Sequence, residues 1–372
     1  MAEHHRTPRI ASRRPLSSPA DVLARFPLDG QAAVTVDRAR RDVTRILDGD
    51  DDRILVVVGP CSSHDPEAVL DYAARLRGVA ADLADDLCIV MRVYLEKPRT
   101  TVGWKGLVND PYLDGSCSGA EGLWLARELL LELNRLGVPA GCEFLDPFCP
   151  QYVADTVSWG AIGARTAESQ IHRQLASGLP MPVGFKNGSD GRVQAGIDGL
   201  RAAAAPQSFF GMGEDAAPNV VTTTGNPDTH LILRGGYSGP NYEPGHVQHA
   251  LQALRSAGLP ERLVVDASHG NSGKDYRRQP HVADSLAAQI ARGSSQDAGL
   301  TGVMLESFLV DGRQDLTASS DLVYGQSITD SCMGWEMTQP VLRTLADAVR
   351  ARRSVTGRQE AVAPFSVAGV GG

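Results

Sequence analysis

Two groups of residues in this chain have types suited to chemistry. The first is a run of cations. Arg92, Lys97, Arg99 and Lys105 fall within the segment Met91–Gly106, MRVYLEKPRTTVGWKG, beside the hydroxyls of Thr100 and Thr101. A strand that breaks at Pro98 into a cationic, hydroxyl-bearing loop makes a cradle for phosphates or carboxylates. The alternative is a solvated basic loop at a sheet edge. The second group is Cys61, His269, Glu306 and a later acid such as Asp330. A thiolate, an imidazole and carboxylates suit one divalent ion of Mn, Fe, Co or Zn better than Mg or Ca. Spacing does not bind these four together, because they are scattered and no HxxxH is present. Each also has a structural use: Cys61 as a small buried residue, His269 as a cap or core histidine, Asp330 as a helix N-cap.

Lysine usage adds a hint. Of 36 basic residues only Lys97, Lys105, Lys186 and Lys274 are lysines. A compact ammonium and a planar guanidinium are not interchangeable, so lysine in an arginine-rich chain marks places where the ammonium is needed. Lys105 has no assigned role.

These residues need elements to carry them. Continuous β-branched runs such as Arg53–Gly59 (RILVVVG) read as strands buried on both faces. Further strands are expected at Leu87–Leu95, Pro139–Leu145, Trp159–Arg165, Met181–Lys186, His230–Arg234, Arg262–Asp266 and Leu300–Glu306. Helical periodicity lies between them, for example Gly119–Leu136, and a last helix is expected over Thr338–Arg352. Eight strand–helix units predict an α/β fold, a closed (β/α)8 TIM barrel, with a doubly wound open sheet as the alternative. No GxGxxG follows the first strand, which argues against a dinucleotide site. Residues 1–50 form an N-terminal arm and helices, 51–353 the barrel, and 354–372 a disordered tail. An inserted β-hairpin is expected from Gln207–Met212 and Asn219–Thr224.

In such a barrel the catalytic residues sit at the C-terminal ends of the strands. Here those ends carry Cys61, Arg92 leading to Lys97, Glu143, Arg165, Lys186, Arg234, Asp266 with His269, and Glu306. Five cations converging on one mouth would repel one another without anions to bind. The expected ligand is therefore a multiply anionic substrate; the alternative is an ion-pair ring with Glu143, Asp266 and Glu306.

Composition excludes several classes. The 372 residues carry a formal net charge of −8, which argues against a nucleic-acid surface or a polybasic membrane anchor. No window approaches the roughly 20 apolar residues of a membrane span. Met1–Pro19 lacks the apolar run of a secretory signal, so a cytoplasmic protein is expected. The six cysteines form no CxxC pair and imply no disulfide framework.

The motifs VVVGPCSSHDP (56–66), MRVYLEKPRTTVGWKGLVNDP (91–111), GCEFLDP (141–147), PVGFKNGSDG (182–191), HLILRGG (230–236), VVDASHGNSGK (264–274), GVMLESFLV (302–310) and YGQSITDSCMGWEMT (324–338) carry a resemblance. From about Pro19 to Arg353 the chain resembles type I (alpha subgroup) 3-deoxy-D-arabino-heptulosonate-7-phosphate (DAHP) synthases. The resemblance implies condensation of phosphoenolpyruvate with D-erythrose 4-phosphate and water, the first step of the shikimate pathway. It implies a divalent metal held by Cys61, His269, Glu306 and Asp330. It places phosphoenolpyruvate on Arg92, Lys97, Arg165, Lys186 and Arg234 with the backbone around Ala164, and the aldose phosphate on Arg99 and Thr100. Glu143 or a metal-associated water would manage the proton, and Asp266 would orient the site. A homodimer or homotetramer is expected. In regulated members an aromatic amino acid binds near Pro150, Gln151, Phe209 and Val221. Pro180 stands here where those members have Ser, and Arg6–Ile10 lacks their acidic residues, so weak or absent feedback inhibition is expected. The alternatives are a sister synthase taking another aldose phosphate, such as arabinose 5-phosphate, and a non-catalytic regulatory barrel.

Overall fold

The computed structural model describes residues 9–99, 101–293, 299–316 and 322–362, with side chains to residue 355. Helices α1 (Pro19–Arg25) and α2 (Gly30–Asp48) precede the first strand. Asp29 caps α2 by accepting from the Ala32 N–H, and Gly49 ends it at φ 81°, a conformation that favours glycine. Strand–helix units follow: β1 (Ile54–Gly59), α3 (Pro66–Asp82), β2 (Leu87–Arg92), α4 (Gly119–Arg135), β3 (Ala140–Glu143), α5 (Pro150–Val153), β4 (Trp159–Ile162), α6 (Gln170–Gly178), β5 (Val183–Lys186) and α7 (Gln194–Ala204). A hairpin, β6 (Ser208–Met212) and β7 (Pro218–Thr222), interrupts the alternation. It resumes with β8 (Thr229–Leu233), α8 (Pro244–Ser256), β9 (Leu263–Asp266), the single turn α9 (His269–Ser272), α10 (Gln279–Ala291), β10 (Leu300–Glu306) and α11 (Trp335–Val362).

The eight main strands close as β1-β10-β9-β8-β5-β4-β3-β2, all parallel, which settles the choice against an open sheet. Every residue of β1 is buried. Alternate residues serve two cores: Ile54, Val56 and Val58 pack among the helices, while Leu55 and Val57 join Val90, Tyr94, Trp159, Ile232, Val264 and Met304 inside the barrel. Val43, Ile46 and Leu47 of α2 belong to that inner cluster. The N-terminal extension thus stoppers the end of the barrel from which the strands start, leaving the opposite end for chemistry.

Several boundaries differ from the sequence reading: β2 ends at Arg92 rather than Leu95, and β3 at Glu143 rather than Leu145. β4 and β8 stop before Arg165 and Arg234, which stand in the following turns and face the cavity there. α11 begins at Trp335, so Asp330 is not its N-cap, and it runs past Arg352 to Val362 through residues expected to be a disordered tail. Residues 363–372 and Thr100 lie outside the described residues, as do residues 6–8 of the arm.

His230, at the start of β8, is fully buried and its Nε2 accepts from Trp159 Nε1 at 3.1 Å. Burial pushes its pKa down to about 3 from an ordinary 6.5. The unfolded chain therefore binds a proton below pH 6.5 that the folded chain refuses. Stability is complete above about pH 6.5 and is lost as pH falls toward 3, by up to a few kcal/mol. Urea unfolding from pH 7 to pH 4 is expected to show this loss, and a His230→Gln variant a shallower slope. An equal slope in both would remove His230 as its source.

Candidate active site

Parallel register assembles the site from strand ends. Gly59 pairs with Glu306, which brings the exit of β1, and with it Cys61, beside the exit of β10. Gly59 cannot be larger, because a Cβ there would lie 2.4 Å from the Arg92 carbonyl oxygen of β2. Cys61 is fully buried. The Lys97 ammonium folds back over it, donating to Cys61 O at 2.7 Å and to Sγ at 3.0 Å. Burial and the Glu306 charge push the thiol pKa up, while Lys97 and Arg92 oppose the rise.

Arg92 is 1% exposed and donates to Pro60 O at 2.5 Å. Its Nη2 lies 3.0 Å from Glu306 Oε1, and its guanidinium stacks 3.7 Å from the Tyr94 ring centroid. The contact with Glu306 is an ion pair without hydrogen-bond alignment, so the buried Oε1 has no donor and is open to a further positive partner. Lys186, 3% exposed, stands 3.4 Å from Asp266 Oδ2 and 3.9 Å from Glu143 Oε2. Burial disfavours ionised Asp266, but His269 and Lys186 outweigh it and hold the carboxyl well below its ordinary range. The Asp266 carboxylate also accepts from Ser268 N and Oγ and lies 2.8 Å from His269 Nδ1. That fixes the imidazole with its other nitrogen toward Glu306, Nε2 to Oε1 being 3.6 Å. His269 adopts φ 50°, an uncommon conformation for a non-glycine residue and one found at functional sites.

Ligand atoms of Cys61, Glu306 and Asp330 lie within 4.8 Å of one another, and His269 adjoins this cluster through Glu306. Burial raises the Asp330 pKa, but Lys97, His269 and Lys274 together hold it well below the usual carboxylate range. The donor set fits a divalent ion: a soft thiol and two carboxylates converge, the His269 imidazole stands beside one of them outside that group, and one buried carboxylate oxygen has no donor.

Above the cluster opens a polar cavity of about 590 Å3 lined by Arg92, Lys97, Arg99, Arg165 and Arg234, among others. A contiguous chamber is lined by Ala164, Arg165, Lys186, Arg234 and Glu143. The structure thus gathers the expected cations and Ala164 at one mouth. Arg99 lies over Gly103, where a Cβ would meet its guanidinium at 2.7 Å. Sequence reasoning missed Tyr94, whose ring faces both Arg92 and Lys186, and Arg313, which lines the cavity. Tyr94 read as one more strand aromatic, and Arg313 as one loop cation with no period to mark it. A separate cavity of about 1100 Å3 lies under the hairpin, lined by Pro150, Gln151, Pro180, Phe209 and Val221 among others.

A closed parallel barrel whose mouth holds buried cations above a thiol–carboxylate cluster defines a (β/α)8 enzyme for multiply anionic substrates. The model of the DAHP synthetase I family matches residues 27–343, and the chain belongs to that family. It is 52% identical over 353 residues to phospho-2-dehydro-3-deoxyheptonate aldolase of Corynebacterium glutamicum, covering 93% of this chain and 95% of that relative. It is 52% identical over 345 residues to the Phe-sensitive phospho-2-dehydro-3-deoxyheptonate aldolase of Escherichia coli K12, covering 93% and 97%. The solved phospho-2-dehydro-3-deoxyheptonate aldolase of Francisella tularensis superposes with a TM-score of 0.90 at 44% identity, covering 93% of this chain and all of that one.

Proposed function

We infer that this chain is a 3-deoxy-7-phosphoheptulonate synthase, a transferase that condenses phosphoenolpyruvate with D-erythrose 4-phosphate and water to give DAHP and phosphate. The observation that carries this reading is the pair of buried cations Arg92 and Lys186, with Lys97, Arg165 and Arg234 lining the same mouth, beside the Cys61–Glu306–Asp330 cluster. Phosphoenolpyruvate bears a carboxylate and a phosphate on one small skeleton. Arg92, Arg165, Lys186 and Arg234 would grip both groups and fix the orientation of C3 toward the aldehyde. Arg99 and Thr100 would hold the far phosphate of the aldose, with Lys97 between the two substrates where the new carbon–carbon bond forms. A divalent ion on Cys61, His269, Glu306 and Asp330 would supply Lewis acidity to the aldehyde oxygen. Mn, Fe, Co or Zn suits these ligands. Water then adds at C2 and the carbon–oxygen bond to phosphate breaks. Glu143, nearly buried and lining both chambers, is the carboxylate best placed to take the water's proton.

The domain division, with the barrel over 51–353 behind an N-terminal arm and helices, is part of this reading. So is a homodimer or homotetramer; Phe210 and Val220 of the hairpin expose apolar surface of the kind that assembly covers. No helix among the described residues is long and apolar enough to cross a membrane.

Metal-replete protein assayed with both aldoses tests the activity: turnover with erythrose 4-phosphate is expected, and a clear preference for arabinose 5-phosphate would favour the sister synthase. Relatives are named for Phe or Tyr sensitivity. Here Pro180 lines the cavity with Pro150, Gln151, Phe209 and Val221, and proline has no hydroxyl and no N–H to offer an amino acid. Turnover is accordingly expected to stay within twofold of its uninhibited rate at micromolar Phe, Tyr or Trp. Strong inhibition by any of them would refute that expectation.

A further inference from the structure

The segment leaving β9 grips the acidic members of the cluster from behind. Lys274 Nζ lies 3.1 Å from Asp330 Oδ1, and the Tyr276 hydroxyl donates to Asp311 just beyond β10. The Gln279 amide, at the start of α10, reaches the main chain of Glu306 itself.

This last contact has a specific cause. β10 pairs with β9 as far as Met304 opposite Asp266, and the Ala267 N–H donates to Met304 O at 2.9 Å. The chain then leaves the sheet to form the turn that bears His269. Main-chain groups two residues apart on a strand point to the same neighbour. Glu306 therefore turns its N–H and C=O toward a side from which the strand has departed. Gln279, 1% exposed, fills the gap: its Oε1 accepts from Glu306 N at 2.9 Å, and its Nε2 donates to Glu306 O at 3.0 Å. A side-chain amide carries the same donor and acceptor as a peptide group, so it continues the ladder by one rung. The Met333 N–H also donates to Glu306 O at 2.9 Å, so it is the Glu306 N–H that the departure of β9 would leave without a partner if Gln279 were absent.

We propose that Gln279 is a positioning residue that fixes the backbone of Glu306, and so aims its carboxylate at Cys61 and Asp330. The inference rests on reading Cys61, Glu306 and Asp330 as metal ligands. It is independent of what the substrates are.

The test is Co2+ titration of metal-free protein, followed by cobalt–thiolate absorption and by competition with a chelator. Gln279→Met, of similar shape but without the amide, is expected to bind Co2+ about 10–100-fold more weakly than the parent while keeping the parent's far-UV circular dichroism. A purely structural role would lower the melting temperature and leave cobalt affinity within twofold; that result overturns the proposal. Should Gln279→Met fail to fold, Gln279→Asn keeps the polarity but falls one methylene short, and the same loss of affinity is expected. If the parent itself shows no cobalt–thiolate band, the reading of the cluster falls and the proposal with it, an outcome distinct from equal affinities in parent and variant.

Discussion

Cys61→Ala protein is expected to be folded and inactive. The side chain is fully buried, but alanine keeps the backbone and loses only the sulfur, so stability should fall by no more than about 1 kcal/mol. The chemical loss is larger. Sγ is the only sulfur in a cluster whose ligand atoms lie within 4.8 Å of one another, and Lys97 Nζ sits 3.0 Å from it. Cys332 does not stand in for it, because its Sγ accepts from the Cys61 backbone N–H at 3.3 Å. A bound ion's Lewis acidity is worth several kcal/mol of transition-state stabilisation, and 1.36 kcal/mol is tenfold, so turnover should drop by about three orders of magnitude. Metal content by elemental analysis, melting temperature and rate separate the effects. Normal activity with normal metal content would sink the assignment of Cys61 as a ligand.

Arg92→Met should cost far more stability. Arg92 and Glu306 are 1% and 2% exposed and form a pair in the barrel mouth. Deleting one member leaves the other charge buried and uncompensated, at a cost of about 3–5 kcal/mol. The variant should also lose phosphoenolpyruvate affinity, since the fork that donates to Pro60 O is pre-aimed at the cavity it lines. A second substitution, Glu306→Gln, removes the stranded charge and should recover part of the stability without recovering activity. Urea unfolding of the four proteins of this cycle measures the coupling directly. Additive losses would mean that the two groups do not depend on each other in the folded barrel.

Much of the architecture was legible because its signals are local. β1 shows as an unbroken β-branched run because both its faces are buried, and the loop after β2 shows as cationic whatever lies around it. The strand-end rule then turned eight scattered residues into one mouth, since all strands of a parallel barrel finish on the same side. The rule places residues without orienting them. Arg165 and Arg234 sit in turns beyond their strands and still reach the cavity. Past Arg352 the composition, small and glycine-rich toward the end, gave no sign that α11 runs on to Val362.

The opening segment shows where the division lies. By itself the sequence determined that Arg92, Lys97 and Arg99 would emerge together from a strand into a loop, because residue type, Pro98 and strand propensity act over a few residues. Tertiary structure alone decided that Arg92 faces Glu306, that Lys97 folds back over Cys61, and that Gln279 replaces the missing rung beside Glu306. It also decided that α2 stoppers the far end of the barrel. Those partners lie from tens to more than two hundred residues apart along the chain. Their meeting depends on ring closure and register, which leave no periodic trace in any one segment.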